Sequence, residues 1–158
     1  MRPIYIFDLD GTIALNDHRQ HFVQGDEQDW DSFFEACDKD EPNWPVINTI
    51  RTLRKCGAEI WIWSGRSAAV EKKTLDWLME HKVMDNRMHR WWKFNPDRFR
   101  MRPDGNYTPD VELKRQWLSE VETPEYRRIV AVFDDRNSVV KMWREQGIAC
   151  FQVAEGDF

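Results

Sequence analysis

Four short, mostly apolar runs are separated by longer stretches in which apolar residues recur every three or four positions. Ile4-Tyr5-Ile6-Phe7, Ala58 to Trp63, Ile129 to Phe133 and Ile148 to Val153 are the short runs; all four predict strands, the first three of them buried. Val46, Ile47, Ile50 and Leu53 follow Pro45 at helical spacing until Gly57, and Leu75, Leu78 and Met79 share a face within residues 67–81. Thr108-Pro109 opens a segment carrying Trp117 and Leu118, and Val139, Val140 and Trp143 lie within residues 137–146, ahead of Gly147. These four segments predict helices. Residues 98–102 alternate arginine with apolar side chains and predict a half-exposed strand. Strand and helix alternating in this way predict an α/β fold: three layers, Rossmann-like, with a central parallel sheet. Residues 13–44 interrupt the pattern. They are acidic and polar around Trp30, Phe33 and Phe34, too short for a second domain, and predict a small cap-like insertion in a single domain over residues 1–158.

The strands end in polar residues. The first, expected over residues 2–8, runs into Asp8-Leu9-Asp10-Gly11-Thr12; the second ends in Ser64-Gly65-Arg66; the strand from Ile129 ends in Asp134-Asp135-Arg136. Lys114 lies on the helix after Pro109. Parallel strands bring their carboxyl ends to one edge, where ligands of open α/β sheets bind, so these groups are expected to converge. Each also has a plain reading. D-x-D-G is an Asp-Gly turn, Lys114 is an i+4 ion-pair partner for Asp110, and Arg66 and Arg136 are surface arginines near helix starts. Together the residue types suit phosphoryl transfer. A carboxylate can attack phosphorus, paired carboxylates can hold a hard cation such as Mg2+, and a hydroxyl and an ammonium can stabilise the equatorial oxygens.

Composition narrows the class. The chain is 41% hydrophobic and 32% charged, with a formal net charge of −5, so it is not a general electrostatic binder of nucleic acid. Neither a membrane-spanning run nor a signal-peptide pattern is evident, and three scattered cysteines suggest no zinc site. A reducing, cytoplasmic location and no membrane partner are expected. Residues 81–102 differ from the rest. They carry Lys82, Arg87, Arg90, Lys93, Arg98, Arg100 and Arg102 against Asp85 and Asp97, with Trp91, Trp92, Phe94 and Phe99 interleaved. Such a stretch either stacks on bases and neutralises phosphates, or packs its aromatics inward beneath solvated charges.

The four elements D-L-D-G-T, W-S-G-R, a lone lysine and F-D-D-R resemble, in order and spacing, the motifs of the haloacid dehalogenase (HAD) superfamily of phosphohydrolases. The resemblance implies Asp8 as nucleophile and Asp10 as general acid/base. It implies Mg2+ at Asp8, Asp134 and the backbone carbonyl of Asp10, with Asp135 supporting the metal through its waters. It also implies that Ser64 and Lys114 grip the phosphoryl group. The tail, from Asp134-Asp135-Arg136 through Val139–Arg144 and Gly147–Ala154 to Gly156-Asp157-Phe158, more closely resembles bacteriophage polynucleotide kinase/3′-phosphatases. Arg19, Arg66 and Asp110 match residues of that family's phosphatase domain, which implies substrate-binding roles for them. G-x-x-x-x-G-K-[ST] is absent, so the phosphatase without a kinase domain is expected, in the host cytoplasm if phage-encoded. The expected substrate is a nucleic-acid 3′-phosphate end. A rival is an uncapped phosphatase of a mononucleotide or other small metabolite. A non-enzymatic receiver-like domain is a third reading, against which Asp10 and Ser64-Gly65-Arg66 argue.

Overall fold

The computed structural model describes residues 1–156; Asp157 and Phe158, the end of the tail just quoted, lie outside the described residues. Five parallel strands form the central sheet: β1 (Ile4–Phe7), β4 (Glu59–Ser67), β5 (Phe99–Arg102), β6 (Ile129–Asp134) and β7 (Ala149–Gln152), in the order β5-β4-β1-β6-β7. Alternate side chains of each strand feed opposite layers. Ile4, Ile6, Trp61 and Trp63 pack with α5 (Asp110–Glu120) and α7 (Asn137–Glu145). Phe7, Ile60 and Ile62 pack with α2 (Trp44–Lys55), α3 (Glu71–Glu80) and α4 (Asn86–Lys93). The first layer is unusually rich in indole: Trp63 sits 6.0 Å from Trp61, 5.9 Å from Trp117 and 5.8 Å from Trp143 between ring centroids. Among the described residues, no helix is long and apolar enough to cross a membrane.

Residues 13–44 fold against the carboxyl edge of the sheet rather than apart from it. They comprise the antiparallel pair β2 (Ala14–Leu15) and β3 (Glu41–Pro42), helix α1 (Trp30–Glu35), and 3-10 turns over Asp17–Phe22 and Ala36–Lys39. Asn43 ties the segment back through its side-chain amide, which donates to the Thr12 carbonyl at 2.8 Å.

The helix expected from Ser67 begins at Glu71. Ser67 still belongs to β4, and its hydroxyl accepts from the Ala69 N–H, capping the 3-10 turn Ala68–Val70. Residues 81–102, for which the sequence leaves two readings open, are split by the fold between the two edges of the sheet. Helix α4 starts at an Asp85 cap, whose carboxylate accepts from the Met88 N–H at 2.8 Å. Its end lies at the amino edge: Trp91 stacks under Arg98 and Arg2, and Arg98 pairs with Glu59 at the start of β4. Trp92 is buried and stacks on Phe99. Arg100 is taken up by Asp97 and Glu120. Only Arg102, last in β5, reaches the edge where Asp8, Asp134 and Asp135 gather. The stretch is therefore not one stacking surface beside those acids.

Candidate active site

Asp8 is the first residue beyond β1, Asp134 the last of β6, and Asp135 follows it. All three are buried, and one oxygen from each lies within 4.8 Å of the others. Lys114, on α5, bridges Asp8 and Asp134. Its Nζ donates to Asp8 Oδ1 at 2.7 Å and Asp134 Oδ2 at 2.9 Å, and lies 3.3 Å from Asp110 Oδ2. Four acids face one ammonium. Burial, aggravated by the neighbouring carboxylates, holds Asp8 well above the usual carboxylate range and raises Asp134, though Lys114 opposes it. Burial and the Asp134 charge push Asp135 up to about 6. Lys114 stays protonated, because its acidic neighbours outweigh its burial. An oxygen-only cluster this short of positive charge suits a hard divalent cation, and Asp8, Asp134 and Asp135 are the residues that would hold it. The turn beneath requires glycine. Gly11 has φ +78°, and a Cβ there would lie 2.1 Å from Asp135 Oδ2.

The Asp10 side chain stands outside that cluster and is held differently. Arg66 donates to it through Nε at 3.2 Å and through Nη2, and Arg19 donates through Nη2. Burial would raise its pKa, but the two guanidiniums overcome this and hold it at about 2. The guanidiniums are themselves fixed by Asp40, which accepts from Arg19 Nε and Nη2 at 2.7 Å each and from Arg66 Nη2 at 2.8 Å. His18 Nε2 lies 2.9 Å from the same carboxylate, and Trp77 Nε1 donates to the Asp40 carbonyl. Arg19 further donates to the Phe33 carbonyl and lies over the Phe33 ring, while Arg66 reaches the Thr74 hydroxyl. Arg19 and Arg66 are buried. Both pair with Asp10, and Arg66 also lines the cleft into which Asp8 and Asp10 open.

Ser64 is fully buried, and its Oγ accepts from the Arg66 N–H at 3.1 Å. The next residue must be small, since a Cβ on Gly65 would lie 2.3 Å from Asp110 Oδ1. Asp110 therefore lines the site between Lys114 and Arg102. Arg102 donates to the Gly65 carbonyl at 2.8 Å and to the Thr108 carbonyl, pinning the loop of residues 103–109 beside the β4 turn. Asp8 and Asp10 open into a cleft of about 910 Å3. Its walls are that loop, the 15–34 part of the insertion, and Arg136, Ala154 and Glu155.

The sequence profile of the polynucleotide kinase PNKP phosphatase domain matches residues 2–158. The chain belongs to this family. It is a HAD-type phosphatase domain. A bifunctional polynucleotide kinase/RNA ligase, as it is named, of Autographa californica nuclear polyhedrosis virus is 31% identical over 139 residues. That match takes in 87% of this chain and 17% of the viral protein. The structure of a Pnkp1/Rnl/Hen1 RNA repair complex contains a chain with TM-score 0.78 and 28% identity, covering 99% of this chain and 44% of that one. A Clostridium difficile protein described as a phosphatase shares the fold at TM-score 0.60 and 13% identity, over 96% of this chain and 84% of its own. The PNKP-type phosphatase domain thus spans about a sixth of the viral relative and under half of the repair-complex chain. Within it, the resemblance did not include Asp40. That residue lies in the polar run Asp38-Lys39-Asp40-Glu41, where no periodicity or motif separates it from solvated acids.

Proposed function

We propose that the chain removes the 3′-phosphate from nucleic-acid ends through an aspartyl-phosphate, with Mg2+ as cofactor. The strongest support is the unequal treatment of two acids two residues apart. Asp8 is crowded by carboxylates and touched by one lysine, as suits a nucleophile beside a cation site; Asp10 is locked between two arginines, as suits a fixed proton carrier.

In the first step an Asp8 oxygen attacks phosphorus, and the bond from phosphorus to the ester oxygen breaks. The departing oxygen takes a proton by way of Asp10. Because Asp10 is held ionised at rest, that proton arrives with the substrate, whose second ionisation lies near about 6. In the second step Asp10 takes a proton from water as the water attacks the phosphorylated Asp8. The bond between phosphorus and the Asp8 oxygen breaks, and Asp10 passes its proton to the departing inorganic phosphate, which restores both carboxylates. Lys114 and the Ser64 hydroxyl stabilise the charge spread over the equatorial oxygens. The chemistry a bound Mg2+ supplies at Asp8, Asp134 and Asp135 is neutralisation of the phosphoryl charge facing Asp8.

The test is a panel of 3′- and 5′-phosphorylated oligonucleotides, mononucleotides and sugar phosphates, with acid-quench capture of phosphate on Asp8. The 3′-phosphorylated oligonucleotide is expected to give the highest kcat/KM. A tenfold preference for a free nucleotide or sugar phosphate would transfer the assignment to a small-metabolite phosphatase. The acidic rim of the cleft, with Asp17, Asp31, Asp104 and Glu155, is the observation that favours that rival.

A further inference from the structure

Two aromatic side chains on the cleft walls remain without a role in the chemistry above. Trp30, at the start of α1, lines the cleft and is 41% exposed, though its edge is held. It packs against Phe33 edge-on at 5.6 Å and against Phe34 at 5.9 Å, and its indole N–H is spent on the Gln28 side chain at 3.2 Å. A large ring is thus positioned without being buried. On another wall, Tyr107 lines the same cleft and is 90% exposed. Its loop is anchored by Arg102 through the Thr108 carbonyl, and by the Thr108 N–H donating to the Asn106 side chain at 2.9 Å.

The charges around these rings limit what they can bind. Beyond Arg66, the cleft lining includes two cations, Arg102 and Arg136, against the four rim acids named above, and among the described residues no lysine lines it. A run of backbone phosphates gains little from such a rim and is repelled by part of it. A neutral, flat, polarisable group gains from Trp30 and Tyr107 without that penalty.

We propose that Trp30 and Tyr107 form a nucleobase subsite, which takes the unpaired base of the nucleotide carrying the scissile phosphate. The subsite rests on the 3′-phosphatase reading and adds to it. The end is recognised by its base, single-stranded, over a footprint of one or two nucleotides, rather than by tracking the backbone. A base still stacked in a duplex offers no free face to these rings.

The test compares a 3′-phosphorylated oligonucleotide with the same oligonucleotide whose 3′-terminal nucleotide lacks its base. The wild-type chain, Trp30→Ala, Trp30→Phe and Tyr107→Ala are each assayed on both. The wild type is expected to favour the base-bearing end by about tenfold in kcat/KM, mostly through KM, as stacking on one aromatic commonly provides. That ratio is expected to fall towards one in Trp30→Ala, to survive in Trp30→Phe, and to shrink in Tyr107→Ala. Tyr107→Ala alters only an exposed loop position, so it reports even if Trp30→Ala disturbs α1. The subsite is overturned if the wild type does not distinguish the two ends, or if both alanine variants keep the wild-type ratio; the 3′-phosphatase reading survives either result. If the wild type turns over neither end while hydrolysing another phosphate class, the substrate assignment itself fails and the subsite falls with it.

Discussion

The two edges of the sheet gather the same residue types and arrange them in opposite ways. At the amino edge Glu59 sits among cations. Arg98 and Arg128 both pair with it, and the Trp61 indole donates to it at 3.0 Å. Burial alone would raise its pKa, but these partners prevail and hold it below the usual range. At the carboxyl edge the balance is inverted: Asp8, Asp134 and Asp110 share Lys114, Arg102 lies 3.9 Å from Asp110, and Asp8, Asp134 and Asp135 are still forced upward. A satisfied acid contributes to folding. An unsatisfied cluster costs stability that only a ligand returns, and such clusters mark functional sites.

The largest expected effect comes from removing the proposed nucleophile, Asp8. Asp8→Asn should lower kcat by more than about a thousandfold. Its melting temperature should match or exceed that of the wild type, since Lys114 keeps Asp134 and Asp110 and one crowded charge is gone; a large fall in stability would mean that the edge is structural after all. Asp40→Asn comes next. It loosens both arginines around Asp10, and kcat should fall by about a hundredfold, as is typical when acid/base catalysis is impaired, with a smaller change in KM. Wild-type kinetics in this variant would detach Asp40 from catalysis.

The pH–rate profile follows. Asp10 is ionised from about pH 2 upward, so kcat/KM should decline about tenfold per unit above the substrate's own ionisation near about 6, where the proton-bearing monoanion disappears. A profile flat to pH 9 would contradict delivery of the proton by the substrate. At the opposite edge, Glu59→Gln should retain activity and lose about 2 kcal/mol of stability, less than a fully buried pair loses because both arginines are partly exposed. Denaturant melts with parallel assays check both halves.

The smallest effect separates the edges by the sign of their pH dependence. Glu59 is lowered in the fold, so its stabilisation is present above its unfolded pKa and fades as pH falls. Asp135, raised to about 6 from 3.8, does the reverse: without metal, its share of stability falls as pH rises from about 4 to about 6. Mg2+ should therefore raise the melting temperature by several degrees at pH 7.5 and by less at pH 5.5. An equal shift at both values would place the metal elsewhere.

Much of the carboxyl edge was legible because parallel strands impose it. Once Ile4–Phe7, Glu59–Ser67 and Ile129–Asp134 run side by side, Asp8, Ser64 and Asp134 have to meet. Composition could not say which way residues 81–102 run across the sheet. Because β5 runs parallel to β4, Trp91, ahead of the strand, stays at one edge and Arg102, at its end, reaches the other, and no local pattern encodes that direction. Asp40 was hidden for a related reason. Its partners Arg19 and Arg66 are 21 and 26 positions away, and only the closed fold reveals three charged groups sharing a buried space. The fold adds to Arg19 and Arg66 a contact with Asp10 that the sequence did not announce.

The insertion that walls the cleft also supplies Arg19 and Asp40, and this governs how the protein can move. A lid that swung open would separate Arg19 from Asp10 and Asp40 from Arg66, exposing several ion pairs in one motion, and would also part Lys73 from Glu35. The wall is accordingly fastened by the same contacts that tune the acid. Under the proposed activity, substrate and product are expected to exchange through a standing mouth. Loop grafts that broaden specificity would have to leave this half of the insertion in place and vary the stretch around Trp30.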